Sequence, residues 1–240
     1  MTEQRRGPLD AVLFDLDGTL ADSMHSIAEA LAETLAEQGY RTSPEELMPH
    51  FGPDMQLVFR RAVGVDEAEA ERLYALYLPT YYERYMPDTP PLPGADELID
   101  DLAARLPLGI VTSKLEAGAR SLIANLGWSA HFSPIVGRDT TGIVKPRPEP
   151  LLHALAELDI EGERAAYVGD TEEDMQAALA AGIAVRIGIT EIRSEQQLRE
   201  AGATAICHDL FTLRALLVAV IEGLPEAVPS TAPATGSASA

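Results

Sequence analysis

Short apolar runs bounded by Gly, Pro or Asp recur along this chain, and between them lie stretches with helical spacing. The runs are Ala11–Phe14, Leu108–Val111, Pro134–Val136, Ala165–Val168 and Ile183–Ile187, with a weaker one at Ala205–Cys207. The helical stretches are Ala95–Leu106, Glu116–Leu126, Glu149–Leu158, Glu172–Ala181 and Ser194–Glu200. A run that is apolar at every position, with no polar alternation, describes a strand buried on both faces. Strands of this kind alternating with helices can be satisfied by a parallel sheet with helices on each side. The expected class is α/β.

One interval breaks the alternation. More than ninety residues separate the first run from the second, and they carry little strand character. Apolar positions at Ile27, Leu31 and Leu35 predict a helix over Asp22–Gln38, with Gly39 as its stop. Ser43-Pro44-Glu45-Glu46 reads as an N-cap with Pro at the first helical position and Glu at the third. Met55–Val63 and Asp66–Tyr85 continue the helical reading, and Pro87, Pro90, Pro91 and Pro93 mark a return linker. Residues 22–92 are therefore expected to form an all-helical insert, leaving 1–21 and 93–224 as a discontinuous core. The Pro-, Ala-, Ser- and Thr-rich residues 225–240 read as a disordered tail.

Charge excludes some functions. With 38 acidic and 18 basic side chains the formal net charge is −20, which argues against nucleic acid and against an anionic membrane surface as partners. The single cysteine, Cys207, excludes a disulfide framework and a Cys-rich zinc site. Met1–Pro8 is polar, and the apolar run Ala215–Ile221 is too short to span a bilayer, so the expectation is a soluble cytoplasmic protein. The 18 basic residues include only two lysines, Lys114 and Lys145.

Four segments carry the chemistry. Phe14-Asp15-Leu16-Asp17-Gly18-Thr19 ends a buried strand in two carboxylates, beyond the carboxyl ends of the strands where open α/β sheets bind ligands. Adjacent acids repel, and a divalent cation relieves that repulsion; taken alone, the segment also fits an Asp-rich turn. Gly169-Asp170-Thr171-Glu172-Glu173-Asp174 repeats the pattern, with Asp174 one helical turn beyond Asp170; acids at a helix start also suit the macrodipole. Thr112 ends a further strand with a hydroxyl suited to a phosphate oxygen, and Lys145 sits on a stretch stiffened by Pro146, Pro148 and Pro150. By themselves Thr112 reads as a turn or cap residue and Lys145 as a loop charge. In a chain that otherwise uses Arg, a retained Lys suggests a need for a compact point charge.

In this order and spacing the four segments resemble motifs I to IV of the haloacid dehalogenase-like hydrolase superfamily, over roughly residues 9–221. The helical insert is similar to that superfamily's C1-type cap. The resemblance implies a Rossmann-like parallel sheet core covered by helices, with an inserted all-helical cap domain. Asp-Gly-Thr-Leu-Ala-Asp-Ser from Asp17, Phe51-Gly52-Pro53 and Leu92-Pro93-Gly94 are similar to the phosphoglycolate phosphatase-like group. An acid at Asp17 resembles the phosphoryl-transfer branch rather than true dehalogenases. Ile27 stands where the mutases of this cap type commonly carry His, and Ser113 stands where Asn is common.

The resemblance implies an Mg²⁺-dependent phosphatase of a small phosphomonoester, phosphoglycolate-like or a sugar phosphate, working through an aspartyl-phosphate on Asp15. Asp17 would be general acid and base. Mg²⁺ would be held by Asp15, the backbone carbonyl of Asp17 and Asp170, with Asp174 at its edge. Thr112, Ser113, Gly18 and Thr19 would hold phosphate oxygens and Lys145 would offset charge. Gly52, Pro53, Arg60 and Arg61 are the candidates for reading the leaving group. The expected partner is a small phosphorylated metabolite, with no nucleic acid and no membrane, and the assembly a monomer or homodimer. A phosphotransferase or sugar-phosphate mutase of the same fold, and a non-catalytic phospho-ligand sensor, are the alternatives. The five histidines show no metal spacing, and Trp128 and the tyrosines from Tyr74 to Tyr85 fit a helix core or cap interface better than a stacking platform. No Gly-x-Gly-x-x-Gly follows the first strand, so a dinucleotide fold is not supported.

Overall fold

The computed structural model describes residues 8–52 and 54–224. Pro53 and the tail 225–240 lie outside the described residues. The strands are β1 (Ala11–Phe14), β2 (Leu108–Val111), β3 (Phe132–Val136), β4 (Ala165–Gly169), β5 (Val185–Ile189) and β6 (Ala205–Cys207). They form one sheet in the order β3-β2-β1-β4-β5-β6, parallel throughout. This is the doubly wound order, in which the chain leaves the centre in one direction and returns to continue in the other. β1 lies in the middle, paired with β2 and β4, so its carboxyl end opens onto the crevice where that reversal occurs.

The helices are α1 (Met24–Glu37), α2 (Pro44–Leu47), α3 (Met55–Val63), α4 (Glu67–Thr80), α5 (Ala95–Ala103), α6 (Glu116–Asn125), α7 (Arg138–Thr141), α8 (Glu149–Leu158), α9 (Glu172–Ala180), α10 (Glu195–Glu200) and α11 (Leu210–Ile221). Among the described residues none is long and apolar enough to cross a membrane. Successive residues of β1 serve opposite faces of the sheet: Val12 and Phe14 join one hydrophobic cluster, while Leu13 joins the other with Val111, Val136 and Tyr167. Side chains alternate across a pleated strand, so full burial of all four β1 residues requires cover on both sides.

The long interval between β1 and β2 is helical, as its periodicity predicts. α1 buries Ile27, Leu31 and Leu35 on one face. α2 starts with a capping box, in which the Ser43 hydroxyl accepts from the Glu46 N–H and the Glu46 carboxylate accepts from the Ser43 N–H. α4 contains Pro79, which donates no backbone hydrogen bond, and the path continues beyond Thr80 as a wider π-type turn over Tyr81–Tyr85. Outgoing and returning chains run side by side: Asp22 N–H donates to Pro90 O (3.0 Å) and Leu92 N–H to Leu20 O (2.8 Å).

Two strand starts differ from the sequence reading. β3 begins at Phe132, two residues before Pro134. β5 starts two residues later than Ile183, because the Ile183 N–H closes the end of α9 on Ala178 O (3.0 Å) after Gly182 turns left-handed. The apolar run Ala215–Ile221 belongs to α11, which packs against α5 and β6.

Candidate active site

The register sets the site. Phe14 pairs with Ile110 of β2 and with Val168 of β4, so the residues just beyond all three strands converge. Asp15 follows β1, Thr112 follows β2 and Asp170 follows β4.

Lys145 ties this floor together. Its ammonium, almost fully buried, donates to Asp15 Oδ1 (2.8 Å) and Asp174 Oδ1 (2.6 Å), and also lies 3.0 Å from the Tyr167 hydroxyl and 3.1 Å from Val111 O. Asp174 is engaged on both oxygens. Oδ1 also accepts from the Tyr167 hydroxyl (2.9 Å), and Oδ2 accepts from the Thr171 N–H (3.1 Å) and hydroxyl (2.6 Å). Burial opposes the charge of Lys145, but Asp15 and Asp174 outweigh it and hold the ammonium well above the usual lysine range. Burial would likewise raise Asp174, yet the charge and hydrogen bond of Lys145, with those of Thr171 and Tyr167, keep its carboxyl below the ordinary value.

The other two acids show the opposite balance. Burial pushes Asp15 up to about 7, with Lys145 pulling down and Asp174 and Asp17 adding to the rise. Burial, then the neighbouring Asp174 and Asp15, push Asp170 well above the carboxylate range, although Thr19 donates to its Oδ1 (3.1 Å). Asp170 Oδ2 is buried with no hydrogen-bond partner. Oxygens of Asp15, Asp170 and Asp174 all lie within 4.8 Å of one another. Three converging carboxylates, one with an unsatisfied buried oxygen, fit a hard divalent cation such as Mg²⁺. Asp15 and Asp170 have the oxygens to offer, whereas those of Asp174 are already occupied. Gly18 preserves the space: its φ is +77°, and a Cβ there would stand 2.6 Å from Asp170 Oδ2.

Asp17 stands apart from this cluster. Its Oδ2 lies 3.2 Å from Lys114 Nζ, and its Oδ1 is buried without a partner. Lys114 also donates to the Tyr81 hydroxyl (3.2 Å) and sits 4.5 Å over that ring's centroid. Burial opposes its charge, but Asp17 leads the groups that hold it well above the usual range. Lys114 is one of the site residues that sequence reasoning left unassigned, with Tyr167, Thr171 and Arg138; its signal was its rarity, as one of two lysines.

Asp15, Asp17, Thr112, Ser113, Lys145, Asp170 and Gly52 all line one cavity of about 140 Å³ between the carboxyl ends of the strands and the helices inserted after β1. Three sequence assignments fall elsewhere. Thr19 is fully buried beneath the cavity and its hydroxyl holds Asp170. The Gly18 N–H donates to Ala21 O (3.0 Å), so it is not free for a phosphate oxygen. Arg60 and Arg61, in the last turn of α3, are exposed and do not line the cavity, because that helix turns Val58 and Phe59 inward instead. The tyrosines belong to the hydrophobic core, and Tyr74, Tyr77, Tyr81 and Tyr82 also wall the cavity. The centroids of Tyr77 and Tyr81 are 5.6 Å apart with rings inclined by 18°.

Residues 12–187 match the haloacid dehalogenase-like hydrolase family. The chain is 33% identical to a phosphoglycolate phosphatase of Rhodospirillum rubrum over 85% of its length and 88% of that protein. It is 38% identical to a phosphoglycolate phosphatase of Chromobacterium violaceum over 73% of its length and 83% of that protein. Its fold is similar to that of a haloacid dehalogenase-like family hydrolase from Streptococcus pneumoniae, with a TM-score of 0.79 at 25% identity, covering 88% of this chain and 99% of that one.

Proposed function

The chain belongs to the haloacid dehalogenase-like hydrolases, as a phosphatase of the phosphoglycolate phosphatase-like group, and from that premise we propose that it hydrolyses a small phosphomonoester through a phosphorylated Asp15. The observation that carries the mechanism is the pairing of two differently held acids on one cavity. Asp15 is pinned through Oδ1 by Lys145, and Asp17 is held across from it by Lys114.

In the first step Asp15 Oδ2 forms a bond to phosphorus as the ester P–O bond breaks, and Asp17 delivers a proton to the leaving oxygen. In the second, Asp17 takes a proton from water as that water attacks phosphorus. The Asp15–phosphorus bond then breaks and inorganic phosphate leaves. The Thr112 hydroxyl, which accepts from the Lys114 N–H (3.2 Å), keeps its own proton to donate to a phosphoryl oxygen. Lys145 bridges Asp15 and Asp174, offsets the repulsion between them and supplies a fixed positive charge beside the nucleophile. Asp15 and Asp170 would hold Mg²⁺, with Asp174 at its edge, and the bound ion would supply the charge that keeps Asp15 ionised and polarises the phosphoryl group.

We also read residues 22–92 as a cap over a core of residues 1–21 and 93–224, excluding bulk water and contacting the leaving group. 2-Phosphoglycolate and sugar phosphates are the first esters to assay. Phosphate release is expected with Mg²⁺ and is lost in EDTA. Asp15→Asn is expected to lower it by at least about a thousandfold. Wild-type turnover by Asp15→Asn overturns the assigned nucleophile.

A further inference from the structure

The two sides of the cavity differ in chemistry. The sheet side carries the acids and cations already described. On the helical side, over residues 24–82, every described lining residue is uncharged, among them Ile27, Phe51 and Met55. The α4 tyrosines extend this wall. Tyr74 and Tyr77 fall on one helical face with ring centroids 6.1 Å apart, and Tyr77 stacks in turn on Tyr81. A two-carbon acid on the phosphoryl group would leave this apolar wall largely uncovered, and water against it is unfavourable.

The cations at the cavity are not equivalent. Lys145 is bound to Asp15 and Asp174, Lys114 to Asp17, and Arg193 Nε lies 2.7 Å from Glu172. Arg138 also lines the cavity, and its guanidinium has no carboxylate partner among the described residues. It is held 5.9 Å from the centroid of the Tyr74 ring. A cation–π contact orients the guanidinium at the end of the aromatic wall without neutralising it, leaving its fork of donors for an anion.

We propose, resting on the phosphatase reading above, that the preferred ester has a leaving group with a flat apolar or aromatic body lying against the tyrosine wall and an anionic end bound by Arg138. Arg138 is thus a specificity residue, and phosphoglycolate is smaller than the ester this cavity takes.

The test compares kcat/KM with Mg²⁺ for two pairs of esters. Benzyl and ethyl phosphate have alcohol leaving groups of similar acidity, so they differ mainly in apolar surface. 4-Carboxybenzyl and 4-methylbenzyl phosphate differ in the charged end. Benzyl phosphate is expected to exceed ethyl phosphate by at least about tenfold. The carboxybenzyl ester is expected to exceed the methylbenzyl ester by about tenfold in the wild type. That second ratio is expected to fall to about one in Arg138→Gln and to recover in part in Arg138→Lys. Equal values for benzyl and ethyl phosphate, or efficient hydrolysis of 2-phosphoglycolate with poor hydrolysis of benzyl phosphate, overturn this inference and leave the phosphatase reading standing. A carboxylate preference unchanged in Arg138→Gln removes Arg138 from it. Release of phosphate from none of the esters overturns the phosphatase reading and the inference with it.

Discussion

Asp170→Asn is expected to stabilise the metal-free protein while abolishing its response to Mg²⁺. Asp170 is fully buried, and its Oδ2 has no hydrogen-bond partner. Burial and two neighbouring carboxylates push its pKa well up, so its ionised form opposes folding. The asparagine keeps an oxygen for the Thr19 hydroxyl, replaces the orphaned oxygen by a donor facing acids, and removes a charge. An unsatisfied buried acceptor costs about 1–3 kcal/mol, more if charged. For a chain of this size each kcal/mol moves Tm by about 2–4 °C. In EDTA at pH 8 the variant is therefore expected to melt roughly 2–12 °C above the wild type. With Mg²⁺ at about a hundred times its Kd, the wild type gains about 2.7 kcal/mol, or roughly 5–11 °C, and the variant gains nothing. Thermal melts of both proteins with EDTA and with Mg²⁺ make the measurement. A variant that melts below the wild type in EDTA, or shows the same Mg²⁺ shift, refutes the assignment of Asp170 as a strained cation ligand.

Three further predictions rest on the same geometry. In EDTA, wild-type stability should fall as pH rises from about 4.5 to about 7. The raised Asp15 and Asp170 carboxyls hold protons in the folded state that the unfolded chain has already released, and the folded state binding more protons gives a negative slope. Denaturant titrations across that window should show a smaller decline for Asp170→Asn; an equal decline removes Asp170 as a source. Lys114→Met leaves the half-buried Asp17 without its cation, and should cost up to about 3 kcal/mol of stability and lower kcat; urea unfolding and phosphate release check both, and wild-type values refute the role given to the pair. Gly18→Ala places a Cβ 2.6 Å from Asp170 Oδ2 in a left-handed turn. It should weaken Mg²⁺ activation at least about tenfold, read from the Mg²⁺ concentration for half-maximal phosphate release, and an unchanged midpoint refutes the steric argument.

Much of the architecture was legible because burial leaves a mark on every residue of a strand. Runs such as Ala11–Phe14 and Leu108–Val111 are apolar at each position, and both form central strands. Capping chemistry is equally local, and Ser43 and Glu46 form the predicted box. Boundaries blurred where one apolar residue could serve either neighbour. Ile183 looks like the start of a strand, but it closes a helix end.

The site divides along the same line. Residue type and local spacing determined that Asp15, Asp17, Asp170 and Asp174 would stand at strand ends and at a helix start, because those positions follow from the chain's own periodicity. They also marked out the two lysines by their scarcity. Which groups face one another is decided by contacts between residues 130 positions apart, such as Lys145 and Asp15, or 151 apart, such as Thr19 and Asp170. No local pattern records them. Tertiary structure alone gave Asp174 to Lys145, Asp17 to Lys114 and the Thr19 hydroxyl to Asp170, and it turned Arg60 and Arg61 to solvent while placing Arg138 at the cavity. The physical reason is that a side chain's role here depends on who else is buried with it. Low-dielectric surroundings convert a few ångströms of separation into the difference between a satisfied ion pair and an unsatisfied acid.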